Sequence, residues 1–342
     1  MRTLIVGIGA LGGLIAARLQ AMGAPAWLAA RNAESAARLK ASGLRVTGVG
    51  GDASAHSPDV AAMEAYSGHA PFDLIVLATK AQDAIAAAPQ LMPLLTSGGT
   101  LLPIQNGGVS QILAERYGAE RVLGGLSNLG ATMSAPGHYE QRNAGHLLIG
   151  ELAGGGQGRA EGVREWLGQA VEVRVTSNMR GAAWSKLLLN CSVTTIGAVA
   201  GCTMREYIGR PEGRDLFDRA YDEALAVALA SGTRPERMFA DPVPPGWEGR
   251  SVPGSAHEAW LGQILDAYGD LKPSMLQDFE RGRATEIDFI NGYVVDLGRR
   301  FGVETNTNAA IVAAVHAITR GEVRPDLTLL GRILQDRGAP TV

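Results

Sequence analysis

With 342 residues the chain exceeds one typical domain and suits two, and a hydrophobic fraction of 46% is enough to fill both cores. A formal net charge of −3 with no basic cluster gives no support for nucleic-acid or anionic-membrane binding. No apolar run approaches the roughly 18 residues that span a bilayer, and a first strand starting almost at Met1 argues against a signal peptide. The two cysteines, Cys191 and Cys202, lack C-x-x-C spacing and read as small reduced side chains of a cytoplasmic protein.

Leu4-Ile5-Val6 runs directly into Gly7-Ile8-Gly9-Ala10-Leu11-Gly12, and Leu14-Ile15-Ala16-Ala17 follows with Leu19. This is a buried strand turning into a helix. The three glycines fit the dinucleotide-binding fingerprint: Gly7 for a tight turn, Gly9 for close approach of the backbone to a pyrophosphate, Gly12 for packing of helix on strand. The phosphates would sit on free amides at the helix N-terminus. In a chain with 45 glycines the motif alone is a weak signal, but the strand before it and the helix after it are the context it requires. Gly23-Ala24-Pro25 then breaks the pattern, and Ala26-Trp27-Leu28-Ala29-Ala30 makes a second strand ending at Arg31-Asn32. At this position an acidic residue holds the ribose of NAD, whereas arginine accommodates the 2′-phosphate of NADP. Arg31 therefore points to NADP(H), the alternative being an arginine that merely faces solvent.

A helix over 33–42 leads into a Gly-rich stretch through Gly51 that suits a hairpin. Asp73-Leu74-Ile75-Val76-Leu77-Ala78-Thr79-Lys80 is a continuous apolar run of the kind found in parallel strands covered on both faces. Ligands gather beyond the carboxyl ends of such strands, so Lys80 either emerges beside the cofactor or simply leads a helix. Thr100-Leu101-Leu102-Pro103-Ile104 runs into Gln105-Asn106-Gly107-Gly108, which is either a plain turn or a loop placing the Asn106 amide over the nicotinamide. Further strands are expected at 122–129, around Tyr139 and at 146–150, with 171–175 closing the sheet. Gly154-Gly155-Gly156 reads as a surface turn, because no apolar strand runs straight into it.

Near Ser177 short apolar runs give way to long helical periodicity, which divides the chain into a dinucleotide-binding domain, 1–177, and a helical domain, 178–342. A helix over about 180–200 carries Lys186, Asn190 and Thr194, spaced four apart and so stacked on one face. Its other residues, among them Trp184, Leu187, Leu188, Cys191 and Val193, are mostly apolar. The polar trio is either satisfied within a helix core or catalytic: an ammonium can donate a proton to a carbonyl oxygen as hydride reaches the carbon, while an amide and a hydroxyl orient the substrate.

These motifs, with Trp184-Ser185-Lys186-Leu187-Leu188-Leu189-Asn190, Ser274-Met275-Leu276-Gln277-Asp278 and Thr285-Glu286-Ile287-Asp288-Phe289-Ile290-Asn291-Gly292, resemble the ketopantoate reductase family over nearly the whole chain. Lys-x-x-x-Asn is shared with the wider group of 6-phosphogluconate and β-hydroxyacid dehydrogenases, whereas the stretch from Ser274 to Asp288 is much more specific. The resemblance implies an α/β plus all-α protein, with an N-terminal Rossmann-type doubly wound parallel sheet and a C-terminal helical domain of the 6-phosphogluconate dehydrogenase-like type. It further implies NADPH-dependent reduction of a small 2-oxo acid, 2-dehydropantoate, to pantoate in pantothenate biosynthesis, by a monomer or homodimer. Carried over residue by residue, Lys186 is the proton donor, and Asn190, Thr194 and Ser274 lie at substrate positions. Glu286 is a carboxylate where cofactor and substrate meet, Lys80 and Asn106 contact the nicotinamide end, with Asn106 also at the substrate, and Gly130-Ala131 gives a backbone contact to the cofactor.

The residues of the motif also allow a plainer account of Glu286. Thr285 with Asp288 three positions on resembles a capping pattern, which would place Glu286 in a first helical turn, where the dipole favours a carboxylate. The chain also departs from the family pattern: Thr194 replaces a second asparagine, an amide expected near Met204 is missing, and Pro273 replaces a serine, so the pocket is less polar. Residues 232–270, rich in Pro and Gly with Trp247 and Trp260, form either a lid or contact surface or a packed surface loop. Helices are expected over 287–301 and 309–319, the latter with a capped start at Thr305-Asn306-Thr307-Asn308. None of His56, His69, His138, His146, His257 and His316 has metal-ligand or triad spacing, and a hydride plus a proton from Lys186 needs no metal. Two alternatives stand beside ketopantoate reduction: an NADPH reductase of another 2-oxo acid, and a non-catalytic NADP(H)-binding regulator, against which intact Lys186 and Glu286 argue.

Overall fold

The computed structural model describes residues 1–154 and 156–335; Gly155, inside the expected surface turn, lies outside the described residues. The chain forms two compact units, Met1–Met179 and Arg180–Val342.

The first unit begins with β1 (Thr3–Val6), α1 (Ala10–Ala21), β2 (Ala26–Ala30) and α2 (Ala33–Ser42), the last capped by Asn32, whose side chain accepts from the Ser35 amide at 2.9 Å. The Gly-rich stretch forms the expected hairpin from β3 (Leu44–Gly48) and β4 (Ala53–Ala55), and β5 (Val60–Ala62), β6 (Phe72–Leu77), α3 (Ala81–Leu91), β7 (Leu95–Pro103) and α4 (Val109–Tyr117) follow. Five of these strands make a parallel sheet in the order β5-β2-β1-β6-β7. Leu4, Ile5, Leu74, Ile75 and Val76 have no exposed surface, which is why their strands read as unbroken apolar runs. From β1 the chain moves outward through β2 to β5 and then returns to the other side of β1 at β6. In open parallel sheets such a reversal opens the crevice in which ligands bind.

The remaining strands do not extend this sheet, contrary to the expectation that 171–175 closes it. β8 (Leu123–Ser127), β9 (Ala131–Ala135), β10 (His138–Gln141), β11 (Leu147–Glu151), α5 (Gly158–Leu167) and β12 (Val173–Val175) supply two further sheets, β12-β11-β8 and β4-β3-β10-β9. A lone bridge between Leu101 and Val122 joins the parallel sheet to the approach to β8. Alternating hydrophobicity identifies a strand but leaves its partner open, so β12 was legible and its sheet was not.

The second unit is helical: α6 (Met179–Leu189), a π turn at Asn190–Thr194, α7 (Thr195–Ala200), α8 (Met204–Tyr207), α9 (Pro211–Ala230), α10 (Ser255–Tyr268), α11 (Ser274–Glu280), α12 (Asn291–Phe301), α13 (Asn306–Thr319) and α14 (Thr328–Gln335). Its core is built on α9, which packs against α7, α12, α13 and α14 through Leu216, Phe217, Ala220, Ala224 and Ala228. Each fully buried Leu or Phe there contributes roughly 1.5–3 kcal/mol.

At three places the local structure differs from what the sequence pattern predicts. Residues 287–289 form a single 3-10 turn, and Ile290 at φ −104°, ψ −97° separates it from α12, so the helix starts at Asn291 rather than 287. The Thr285–Asp288 cap is not made; Asp288 instead meets His316 Nε2 at 2.8 Å. At the start of α13, Thr305 makes no side-chain cap of its own, and the amides of Thr307 and Asn308 donate to the Glu223 carboxylate of α9 at 2.8 and 2.9 Å. A carboxylate facing free amides at a helix N-terminus replaces the local cap with a tertiary one.

The Pro/Gly-rich stretch is irregular only over 231–254, its second half being α10. It is a packed loop. Asp222 of α9 accepts from Trp247 Nε1 at 2.8 Å and from the Ser251 amide at 2.7 Å, Tyr221 donates to Pro242 O at 2.9 Å, and Trp260 donates to Asp241 O at 2.7 Å. Ser185 of α6 donates to Glu236 O, and the Glu236 amide returns a bond to Gly181 O at 3.1 Å. Among the described residues no helix is long and apolar enough to cross a membrane.

Candidate active site

The three glycines of the loop differ in their surroundings. Gly7 has φ +112°, and a Cβ on it would lie 2.8 Å from Ala78 C; a Cβ on Gly12 would lie 2.1 Å from Gly7 O. Both positions are closed to any larger residue by backbone. Gly9 differs: a Cβ there meets no described atom within 4 Å, so the middle of the loop faces open space at the start of α1. The first turn, Ala10 to Gly13, carries no acidic side chain, leaving its amides available to an anion. This cradle fits a dinucleotide pyrophosphate. Ile8 and Leu11 pack on the core beside it.

Next to the loop stand the ends of β6 and β7. Ala78 and Thr79 abut Gly7, and Lys80 follows as the half-buried residue preceding α3. Gln105, which the sequence did not single out as a site residue, staples these ends together: its Nε2 donates to Leu77 O at 2.9 Å and Thr79 O at 3.1 Å. Thr79 Oγ1 and Gln105 Oε1 are buried with no partner among the described residues. Asn106 comes next, half-buried, with Gly107 at φ +77° turning the chain. Arg31 is exposed at the carboxyl end of β2, beside β1. Ala131 opens β9 in a different sheet, and β9 packs against α1. Tyr139 is a core residue beside the loop. It lies over α1 where a Cβ on Gly13 would come 2.0 Å from its ring, and burial pushes its hydroxyl pKa up to about 12. The only sequence signal for it was the second glycine of Gly12-Gly13.

In the second unit, Asn190 follows Lys186 by one α-helical turn, but Thr194 does not continue the stack. The turn at Asn190–Thr194 is wound i→i+5, which adds a residue to the turn and rotates the helix beyond it. Side chains take up the carbonyls that this winding disturbs. Thr194 and Thr195 both donate to Asn190 O, at 3.1 and 2.9 Å, Ser192 donates to Leu188 O at 2.8 Å, and Tyr207 donates to Ser192 O at 2.9 Å. Such π turns are frequent at functional sites. Asn190 Nδ2 is buried with no partner among the described residues, a donor that an incoming acceptor would satisfy. Burial lowers the pKa of Lys186 to about 8, and the Glu286 carboxylate opposes this by favouring the charged form. Glu286 is half-buried just before the 3-10 turn; Ser274 is exposed at the first position of α11, behind buried Pro273. Cys191 and Cys202 are free, and burial pushes both thiols up, away from the thiolate form. Among the described residues no group of three or more His, Cys, Asp or Glu side chains is placed to hold a metal ion.

Residues 3–154 match the family described as ketopantoate reductase PanE/ApbA, and residues 178–319 match its C-terminal part. The chain belongs to the ketopantoate reductase family. A 2-dehydropantoate 2-reductase of Mesorhizobium japonicum is 31% identical to it over 346 residues, 94% of this chain and 99% of that protein. The crystal structure of a PanE/ApbA family ketopantoate reductase from Ralstonia eutropha has a TM-score of 0.76 at 25% identity, covering 94% of this chain and 99% of that one. The fold is shared with a D-mandelate dehydrogenase solved with NADH and anilino(oxo)acetate, at TM-score 0.76 and 20% identity, covering 94% and 99%. This ketopantoate reductase family member is an oxidoreductase that uses a nicotinamide cofactor and a small-molecule substrate.

Proposed function

We propose that the protein reduces 2-dehydropantoate to pantoate with NADPH, the reductive step of pantothenate synthesis. The observation that carries this reading is Lys186: a lysine brought by burial to about 8, with a carboxylate favouring its charged form and an unpartnered amide donor one turn away. Such an ammonium is a stronger acid than a solvated lysine yet still largely protonated at neutral pH. When bound, the nicotinamide supplies a hydride to the carbonyl carbon. Lys186 Nζ gives its proton to the carbonyl oxygen, becomes a neutral amine, and is reprotonated from solvent. Asn190 and Ser274 orient the substrate, and Glu286 keeps the ammonium charged until transfer. On the cofactor side, Gly7 to Gly12 with Ile8, Ala10 and Leu11 hold the pyrophosphate, Arg31 takes the 2′-phosphate, and Lys80, Asn106 and Ala131 line the nicotinamide end.

Two observations favour a second reading, in which another 2-oxo acid is the substrate. Met204 is buried and apolar near the place where the family pattern has an amide, and the Thr194 hydroxyl proton is spent on Asn190 O. The test for both is NADPH oxidation followed by absorbance across a panel of 2-oxo acids that includes 2-dehydropantoate. Fastest turnover of 2-dehydropantoate supports the first reading, preference for another acid selects the second, and no turnover on any of them removes both.

A further inference from the structure

Of the side chains that donate to carbonyls of the π turn, Asn291 comes from furthest away and occupies the most constrained position. It is the first residue of α12, five positions after Glu286, and it has no exposed surface. Its Nδ2 donates to Cys191 O at 3.2 Å and to Asn308 Oδ1 at 2.9 Å. Two acceptors fix the orientation of the amide, because the flipped form would set its oxygen against both. Asn308, equally buried, donates to Ala220 O at 3.1 Å and to Glu223 Oε2 at 2.8 Å. A continuous polar chain thus runs from α9 through α13 and α12 into the π turn. Asn291 Oδ1 is buried with no partner among the described residues, so the two bonds of its Nδ2 are what hold the side chain, and breaking either strands a group away from water.

The segment between Glu286 and Asn291 is one 3-10 turn followed by the non-helical Ile290. Where its carboxylate stands therefore depends on what holds the far end. Asn291 holds that end on Cys191, the residue after Asn190 and five after Lys186. We propose that Asn291 is a positioning residue of the active site: by donating to the Cys191 carbonyl it fixes the segment carrying Glu286 against the helix carrying Lys186 and Asn190. The inference rests on Lys186 as the proton donor. Glu286 is the charged group that acts on Lys186, while Glu223, at the other end of the chain, faces the amides of α13.

The test is Asn291→Leu, which keeps the branched shape and heavy-atom count of the side chain and removes both donors. With NADPH and 2-dehydropantoate, kcat should fall by about 100-fold, the scale of a small misplacement of reacting groups, with KM for NADPH within about twofold of the parent. The Lys186 titration should also move below the parental value of about 8. It is followed as the pH dependence of Lys186 acetylation by acetic anhydride, with peptide mass mapping, and so does not depend on which acid is the substrate. A parental kcat and an unmoved titration, with only a lower melting temperature, would overturn the proposal. Should the leucine variant fail to fold, Asn291→Ala, which leaves room for a water between Cys191 O and Asn308 Oδ1, carries the same criteria with a smaller loss. Lys186→Ala in parallel separates the two readings. If it retains activity and its basic limb, the lysine reading fails; if it loses them while Asn291→Leu changes nothing, only the positioning role fails.

Discussion

Lys186 is held between two opposing effects, burial that favours its neutral amine and the Glu286 carboxylate that favours its ammonium. Reduction consumes a proton, so the rate should fall as pH rises through about 8 and the lysine deprotonates. Glu286→Gln removes the influence that raises the pKa, and the basic limb of the kcat profile should move to lower pH; a limb that stays put would show that Glu286 does not act on the lysine. Lys186→Ala should lower kcat by about 10²–10⁴, the usual worth of a positioned general acid, while NADPH affinity measured by fluorescence titration is unchanged. Equal loss of nucleotide binding would place the lysine in the cofactor site instead. At the other end of the cofactor, Arg31→Asp should weaken NADPH relative to NADH by at least about tenfold, because it sets a carboxylate against the 2′-phosphate. Comparing KM for the two nucleotides checks this, and an unchanged ratio removes Arg31 from the site.

At the scale of elements, the turn from β1 into α1 offers a pair of substitutions whose effects should separate. A Cβ on Gly12 would lie 2.1 Å from the Gly7 carbonyl, so Gly12→Ala should destabilise the protein by about 1–3 kcal/mol in thermal melts without nucleotide. A Cβ on Gly9 meets nothing, and Gly9→Ala should change stability by about 1 kcal/mol or less while sharply weakening NADPH binding. Equal behaviour of the two would mean that the open space above Gly9 is not where phosphate sits. In the second unit, Tyr207→Phe removes the hydroxyl that serves Ser192 O and Val193 O and should cost about 1–3 kcal/mol of stability, read from urea midpoints. The strand–loop–helix was readable because its glycines act on their own neighbourhood. The π turn was not, since its donors at Tyr207 and Asn291 come from other helices, and a spacing of four residues assumes the regular winding that these donors relax.

For the whole molecule, buried tyrosines set the alkaline limit. Burial raises the hydroxyls of Tyr66 and Tyr139 to about 12, and raises Tyr207, Tyr221 and Tyr268 as well. Groups with raised folded-state pKa values stabilise fully below their unfolded value, near 10, and lose that contribution as pH climbs through the folded one. Lys186 acts in the opposite sense: its lowered pKa lets the fold gain stability between about 8 and its unfolded value. With one lysine against these tyrosines, urea midpoints should fall steeply above about pH 10, in both units, since each contains raised tyrosines. A flat response to pH 12 would contradict their burial.

Contiguous residues determined much of this protein: the glycine turn, the run of β2 up to Arg31, the helix over 33–42, the parallel strands, and the passage from sheet to helices near residue 177. Each depends on local geometry or on a hydrophobic period that a short window contains. Even the family was legible, because its motifs are short and keep their spacing. Tertiary structure alone decided which strands share a sheet, that Glu223 caps α13, that Gln105 ties β6 to β7, and that a π turn follows Lys186. It also decided the strength of that lysine as an acid. The physical reason is distance along the chain: Asn291 reaches Cys191 across 100 residues, and burial and charge at a side chain are sums over neighbours that only folding brings together.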